Sequence, residues 1–582
     1  MLQLRRWLDH PQAPFVGAAV LACLLCIPGL WLGWVADDLT HRGYILAHLH
    51  TKDAYGAWWN MFDGRGSVPL LVYFGMSPWW ASSHLSVAFL RPLATASHYA
   101  DYLVWPTSPA LMHAHNILLF ALVVLVAGKL YQRLMGRGVA MWIAVFLYTT
   151  DDAHISSTAW IASRNTLLTA LFALLTLYAF DRARRDGSKP AMWLAPLALL
   201  AAHACSEGAL AIWGYLVAYL LWLDPSTSKS RWLSLAPLAA VSGGWVTLSS
   251  YLGYGVHGSG TYLDPRTNPW MFLEGLAERF PDLARVQFGL TDEVGHQLVS
   301  RSMLTPLQAA VLGLWLPCLV FGFRAAWKHA STRFWLFGCV LALIPLCAVG
   351  SVSRLLFIAG IGAHGFLAEV IAACYRRASE RTSHKLQRIE LVASAAPLAA
   401  HALIALVAIQ LGPGFWHGID TTVHRALRSL PSGAALEKST ILVLNSPDFV
   451  LSSFVSVYRI QIGMPAPQIM HLLGVSERVV RLTRADQNSI LLEPDGGYLA
   501  DRTSILARTP DEPFTPNQTF ALLGALVQVD ALTGDGRPRR IRVATLDADD
   551  PKLLWMTWDE RSMQYARVRL PKIGQSLMLL PK

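Results

Sequence analysis

Residues 15–39 read FVGAAVLACLLCIPGLWLGWVADDL, and this stretch decides the fold. Phe15 to Val35 is an apolar run long enough to cross a bilayer, which takes about 20 residues. Trp31 and Trp34 sit where a chain leaves the hydrocarbon and suffice to anchor it at the interface. Asp37 and Asp38 follow at once, and anchoring does not need them. Such a pair is either a solvated turn after a helix or the base or ligand site of an enzyme acting on a lipid-borne substrate.

Composition agrees with a membrane protein. Apolar residues make up 54% of the 582 and charged residues only 15%, with 22 tryptophans. Mean hydropathy is +0.38. The net charge of +10 does not indicate nucleic acid, because the basic residues cluster in short loops between apolar runs. All seven cysteines lie in or beside apolar runs. Cys23 and Cys26 have a redox or zinc half-site spacing but no second pair, which favours packing.

Arg5 and Arg6 place the N-terminus in the cytoplasm, so Asp37 and Asp38 emerge on the outer face. An outer loop over 36–108 follows, whose apolar stretches Val68–Phe74 and Leu85–Leu90 read as helices along the interface. Further spans are expected over 109–128, 138–150, 165–181, 191–204, 208–223 and 233–252. After a second outer loop, 253–306, come 307–323, 334–350, 355–373 and 391–411. Each loop assigned to the cytoplasm is short and basic, the densest holding Arg376, Arg377, Arg381, Lys385 and Arg388. The chain reads as an all-α polytopic membrane domain of about eleven spans over 1–411.

Residues 412–582 change character. Ser439–Leu444 and Arg540–Thr545 alternate as strands do. Gly496-Gly497 and Gly534-Asp535-Gly536 mark turns, and a helix fits Pro447–Ile462. A soluble α+β or mainly β domain on the outer face is expected.

This topology collects polar residues at the outer ends of the spans: Asp37 and Asp38, then Asp151, Asp152 and His154, Arg164, His203 and Glu207, and Arg354. Each alone is an ordinary helix end. Acids from separate loops with arginines at helix starts suit sugar transfer from a lipid phosphate. A carboxylate deprotonates the acceptor, while arginine or a divalent cation such as Mg or Mn holds the departing phosphate. Asp37 and Asp38 are the candidate ligands for such a cation. His113 and His115 point two ways on a helix. His41, His48 and His50, near Asp53 and Asp63, lack a complete ligand set and read as structural or acceptor-contacting.

Several strings resemble transmembrane glycosyltransferases of the C-type fold that use polyprenyl-phosphate-linked sugars, in particular the protein mannosyltransferase branch with its tetratricopeptide-repeat members. Phe89-Leu90-Arg91-Pro92-Leu93 is similar to a first-loop Phe-Arg-Pro-Leu string, and His113 to Leu119 to a His-x-x-Asn-x-x-Leu start. Ala159-Trp160-Ile161-Ala162-Ser163-Arg164 resembles Ala-Trp-Ile-x-x-Arg, and Ser353 to Gly362 an arginine-led late span. The resemblance covers roughly 15–375. It implies Asp37 or Asp38 as base or acceptor-positioning acid, with Asp37 the first choice. It also implies Arg164 and Arg354 as lipid-phosphate binders. Arg91 is a further candidate phosphate binder, and Asp151, Asp152, His154 and Glu207 are candidates for a second acidic or acceptor site. Departures are Asp151 to Ser156, where the family has His-Pro-x-His-x-Glu, and Cys205-Ser206-Glu207, where it tends to have Ser-Lys-Glu.

The expected function is transfer of a sugar from a polyprenyl carrier to a glycan, lipid or protein acceptor on the outer face of the cell's inner membrane. The alternative is a non-catalytic membrane protein that binds a lipid-linked glycan or an envelope-assembly partner. A transporter fits less well, since the spans carry few internal charges and no inverted repeat is evident.

Overall fold

The computed structural model describes residues 13–49, 61–226, 228–350, 352–433, 435–447, 449–475, 478–500 and 504–580. Arg5, Arg6, His50, Asp53 and Ser351 lie outside the described residues.

Among the described residues, six helices are long and apolar enough to cross a membrane: Pro109–Met135, Ile161–Arg185, Lys229–Tyr251, Ser302–Ala326, Phe357–Ser379 and His384–Ser429. The chain is a multi-pass membrane protein. Three shorter apolar helices, Phe15–Trp31, Glu207–Trp222 and Ala330–Leu346, occupy other expected spans. Val139–Thr149 and Lys189–His203 are helices of only 11 and 15 residues.

Helix starts follow local chemistry. Proline, which lacks an N–H, stands in the first turn of Pro92–Val104 and Pro109–Met135. Ser108 caps the latter by accepting the Leu111 N–H at 3.4 Å.

The Phe357–Ser379 helix runs through the middle of the bundle, and its apolar window is wholly buried. Tyrosines from three other helices donate to carbonyls near its start, adding to the intrahelical bonds those carbonyls already accept. Tyr148 Oη reaches the Phe357 carbonyl at 2.9 Å, Tyr215 Oη that of Ala359 at 2.9 Å, and Tyr131 Oη that of Ile361 at 2.7 Å. Gly365 faces the Trp335 ring where a Cβ would collide, so the two helices approach closely. This clamping positions Arg354, just upstream.

Three of the long helices run from the acid-bearing end of the bundle to an arginine-rich end. There Arg133 pairs with Asp181 at 2.6 Å, Arg184 with Asp224 at 2.7 Å, and Arg381 with Glu390 at 2.9 Å.

At the acid-bearing end the two long loops are joined. Strand β1 (Ser86–Ala88) pairs antiparallel with β2 (Gly255–His257). The helix expected over Leu85–Leu90 is therefore extended. Val87 favours a strand, and its Val256 partner from the other loop decides it. Val68–Tyr73 is helical as expected.

The last membrane helix continues without a break past 411 to Ser429, so the composition boundary falls inside it. The β-rich region beyond holds two sheets. Strands β3 (Thr440–Val443) and β4 (Ile469–Leu472) run parallel, joined by the crossover helix Phe449–Gln461. Strand β10 (Leu553–Asp559) adds in parallel to β3, and β11 (Gln564–Arg567) antiparallel to β10. The second sheet is antiparallel, in the order β12 (Ser576–Leu579), β5 (Val480–Arg484), β6 (Ser489–Pro494), β9 (Pro538–Ala544), β8 (Ala525–Leu532) and β7 (Thr519–Leu522).

This domain sits on the loops. Trp79, 1% exposed, packs among Tyr498, Phe514 and Phe520 and donates from Nε1 to the Leu473 carbonyl at 3.0 Å. Trp80 Nε1 donates to the Ser504 carbonyl at 3.3 Å. From the second loop, the Gly260 N–H meets the Ile505 carbonyl at 2.8 Å.

Candidate functional site

The acid pair is split by its backbone. Val35, Ala36, Asp37 and Asp38 form a tight turn closed by the Asp38 N–H to the Val35 carbonyl at 3.0 Å. Ala36 takes φ 48° and ψ −121°, a conformation that favours glycine. Holding a non-glycine residue there costs about 1–3 kcal/mol, which surrounding contacts must offset. Asp38 supplies two of them. Its carboxylate accepts the Val35 N–H at 3.0 Å and the Ala162 N–H at 2.7 Å. Asp38 is thus buried and ties the turn after the Phe15–Trp31 helix to the turn before Arg164.

Burial pushes the Asp38 carboxyl up to about 7. The Val35 and Ala162 amides pull it back, Asp37 raises it, and Arg164 lowers it. Asp37, by contrast, is half-buried and has no hydrogen-bond or ion-pair partner among the described residues. The two neighbours therefore differ in what they can do, and Asp37 holds the open carboxylate.

His41 lies one helical turn beyond Asp37. Burial pushes its pKa down to about 4, with Asp37 pulling it up and Arg91 pushing it down. Its ring stands edge-on to Phe62 at 5.1 Å and to His98 at 5.6 Å. His41 Nδ1 and His98 Nε2 are buried without a hydrogen-bond partner among the described residues. Arg91 lies over Phe62 and Phe89, at 5.2 and 4.1 Å from the ring centroids. It also grips Glu207 Oε2 through Nε at 3.0 Å and Nη2 at 2.8 Å.

Arg354 lines a cleft with Thr166, Thr169, Ser206, Leu346 and Phe357. Its guanidinium stacks over Trp160 at 4.7 Å, and it pairs with no carboxylate among the described residues. Hydroxyl groups beside an unpaired guanidinium can accept a phosphate. The short segment Trp160–Ala162 touches both halves of the site, Arg354 through the Trp160 ring and Asp38 through the Ala162 amide.

Arg164 has a different environment. It is fully buried and forms an ion pair with Asp101. It also donates to Asn116 Oδ1 at 2.8 Å, the Met112 carbonyl at 3.0 Å and the Ser97 carbonyl at 3.2 Å. His115 completes the cluster on Asp101 at 2.8 Å, while His113 turns away to the Gly33 carbonyl at 3.2 Å. The donors of Arg164 are thus committed to the protein, whereas Arg354 has no carboxylate partner among the described residues.

Asp151, Asp152 and His154 form a separate buried set. Asp151 accepts from His364 Nε2 at 3.0 Å and the Ala153 N–H at 2.8 Å. Asp152 accepts the Thr291 N–H at 2.8 Å and its hydroxyl at 2.7 Å. His154 stacks on Phe357 at 4.3 Å, behind the turn that carries Arg354. The two carboxylates are satisfied by protein, whereas His154 meets the Tyr148 carbonyl through Nδ1 at 2.9 Å and keeps Nε2 buried without a hydrogen-bond partner among the described residues. Glu207 alone of the expected second acidic site borders the cleft, through its neighbours Ser206 and Gly208.

Asp38's oxygens take two amides, and among the described residues no three His, Cys, Asp or Glu gather around one point.

Sequence reasoning missed Asp101, which lies on a helix with no motif of its own, and the roles of Asn116 and of the Trp160 ring. Trp160 was within reach, since it sits in a string already singled out.

No family model and no curated protein matches the chain. The likeness to mannosyltransferases thus rests on the local strings. Among solved structures, the chain is similar to ArnT from Cupriavidus metallidurans bound to undecaprenyl phosphate, at 12% identity and a TM-score of 0.39, over 78% of this chain and 85% of that one. The apo state of that protein matches at 12% identity and a TM-score of 0.33, over 71% and 84%. These values carry no argument about this chain's activity, which is built below from its own residues.

Proposed function

We propose that this protein is a membrane glycosyltransferase that moves a sugar from a polyprenyl-phosphate carrier to an acceptor at the outer membrane face. The observation that carries the reading is the pairing of one open carboxylate, Asp37, with one unpaired guanidinium, Arg354, across the Trp160–Ala162 segment. Asp37 takes the proton of the acceptor hydroxyl or amide as that group attacks the anomeric carbon. The bond from the anomeric carbon to the phosphate oxygen breaks, and the phosphate leaves with its negative charge held by Arg354. Asp38 and Arg164 keep Asp37 in place without touching substrate. His41, His98, Arg91 and Phe62 offer polar atoms and a ring face to the sugar.

Eleven spans, with the N-terminus cytoplasmic and the β-rich domain outside the inner membrane, complete the proposal. The basic loops support that orientation, since the arginine-rich helix ends lie away from Asp37.

The test is consumption of a radiolabelled polyprenyl-phosphate hexose by the full chain in membrane vesicles, which supply acceptors. Release of free polyprenyl phosphate supports the proposal. Binding of the carrier without consumption supports the non-catalytic alternative.

A further inference from the structure

We infer that the β-rich domain is a positioning element for the acid turn, acting through Tyr458 and Gln461. The Tyr458 hydroxyl donates to the Ala36 carbonyl at 3.0 Å, the carbonyl of the one residue in the turn with positive φ. Gln461 Nε2 donates to the Leu39 carbonyl at 2.7 Å. Both belong to the crossover helix Phe449–Gln461, which packs along Asp37–His48. The approach is tight at Gly43, where a Cβ would collide with the Gln461 amide.

The crossover helix is itself anchored. Arg459, fully buried between those two residues in sequence, donates to the carbonyls of Leu427, Pro431 at 3.2 Å and Pro465 at 2.5 Å. Leu427 lies in the last turns of the final membrane helix. Strands β3 and β4, parallel neighbours, fix both ends of the crossover. A continuous path therefore runs from the end of the last span, through Arg459, to Tyr458 and Gln461, and on to Ala36 and Asp37. An alanine at this position does not choose φ 48° unaided, and Tyr458 is the only side chain from the β-rich domain, among the described residues, that hydrogen-bonds it. Tyr458 and Gln461 are positioning residues. They touch the backbone that carries Asp37 and not the reacting atoms.

The inference rests on the proposed role of Asp37 for its consequence but not for its geometry, and the experiment separates the two. Full-length protein is compared as wild type, Tyr458→Phe, Ala36→Gly and the double variant, by amide hydrogen exchange over 36–48 and by donor turnover. Tyr458→Phe is expected to speed exchange in 36–48 by about tenfold while the β-rich domain keeps its protection. Glycine adopts the turn without help, so the double variant is expected to exchange no faster than Ala36→Gly alone, a non-additivity that simple loss of stability does not produce. Where turnover is measurable, Tyr458→Phe lowers kcat by about tenfold and leaves KM for the carrier unchanged. Unchanged exchange in Tyr458→Phe, or equal increments with and without Ala36→Gly, overturns the inference. The expected exchange pattern in a protein that consumes no donor upholds it and removes the proposed activity instead.

Discussion

The carboxylate of Asp38 accepts the backbone N–H of Ala162 at 2.7 Å, joining the turn after the Phe15–Trp31 helix to the turn before Arg164. Through this contact the two adjacent acids take different work: Asp38 holds two loops together, and Asp37 is left open beside it.

That division has a pH signature. Asp38's carboxyl is raised to about 7 in the folded chain, against about 4 when unfolded. A raised acid favours folding fully below its unfolded value, and the contribution is lost as pH rises through the folded one. Wild-type thermal stability is therefore expected to fall relative to Asp38→Asn between about pH 4 and pH 7. Melting curves of the two proteins in the same detergent measure the difference. Parallel pH profiles would remove the assignment.

Arg164 and Arg354 are expected to fail in different ways. Arg164→Met strands the buried Asp101 carboxylate and is expected to cost about 3–5 kcal/mol of stability. Arg354→Ala breaks no ion pair, loses only the stacking on Trp160, and is expected to cost about 1 kcal/mol of stability. It should weaken binding of a polyprenyl phosphate by about tenfold to a hundredfold, the loss of a hydrogen bond to a charged group. Titration with the lipid in nanodiscs, beside thermal melts, distinguishes them.

Trp79 is expected to hold the β-rich domain on the first loop. Trp79→Ala empties an aromatic pocket among Tyr498, Phe514 and Phe520 and should cost about 3–5 kcal/mol at that contact. Limited proteolysis with trypsin should then cleave after Arg428, at the end of the last membrane helix, sooner than in the wild type.

Much of this architecture is legible in the sequence because the membrane simplifies the signal. Long apolar runs such as 109–128 and 355–373 appear as helices, and the alternation in Arg540–Thr545 as strand β9. The acid turn is legible too, since Asp37 and Asp38 stand out against apolar surroundings. The split between them is not, because it depends on the φ of Ala36 and on an amide 124 residues away. Arg164 reads as a phosphate ligand because a span that opens on arginine gives no sign of the buried Asp101 facing it. Strand β1 is three residues long and is decided by its partner in the other loop. Tyr458 sits 422 residues from the turn it holds, with no local motif to mark it.

The most direct test of the account is the donor turnover of Asp37→Asn, which keeps the side chain's shape and removes the base. Turnover of polyprenyl-phosphate hexose is predicted to fall by about 10²- to 10⁴-fold, with carrier binding and melting temperature as in the wild type. An Asp37→Asn protein that consumes the donor at the wild-type rate would contradict the claim.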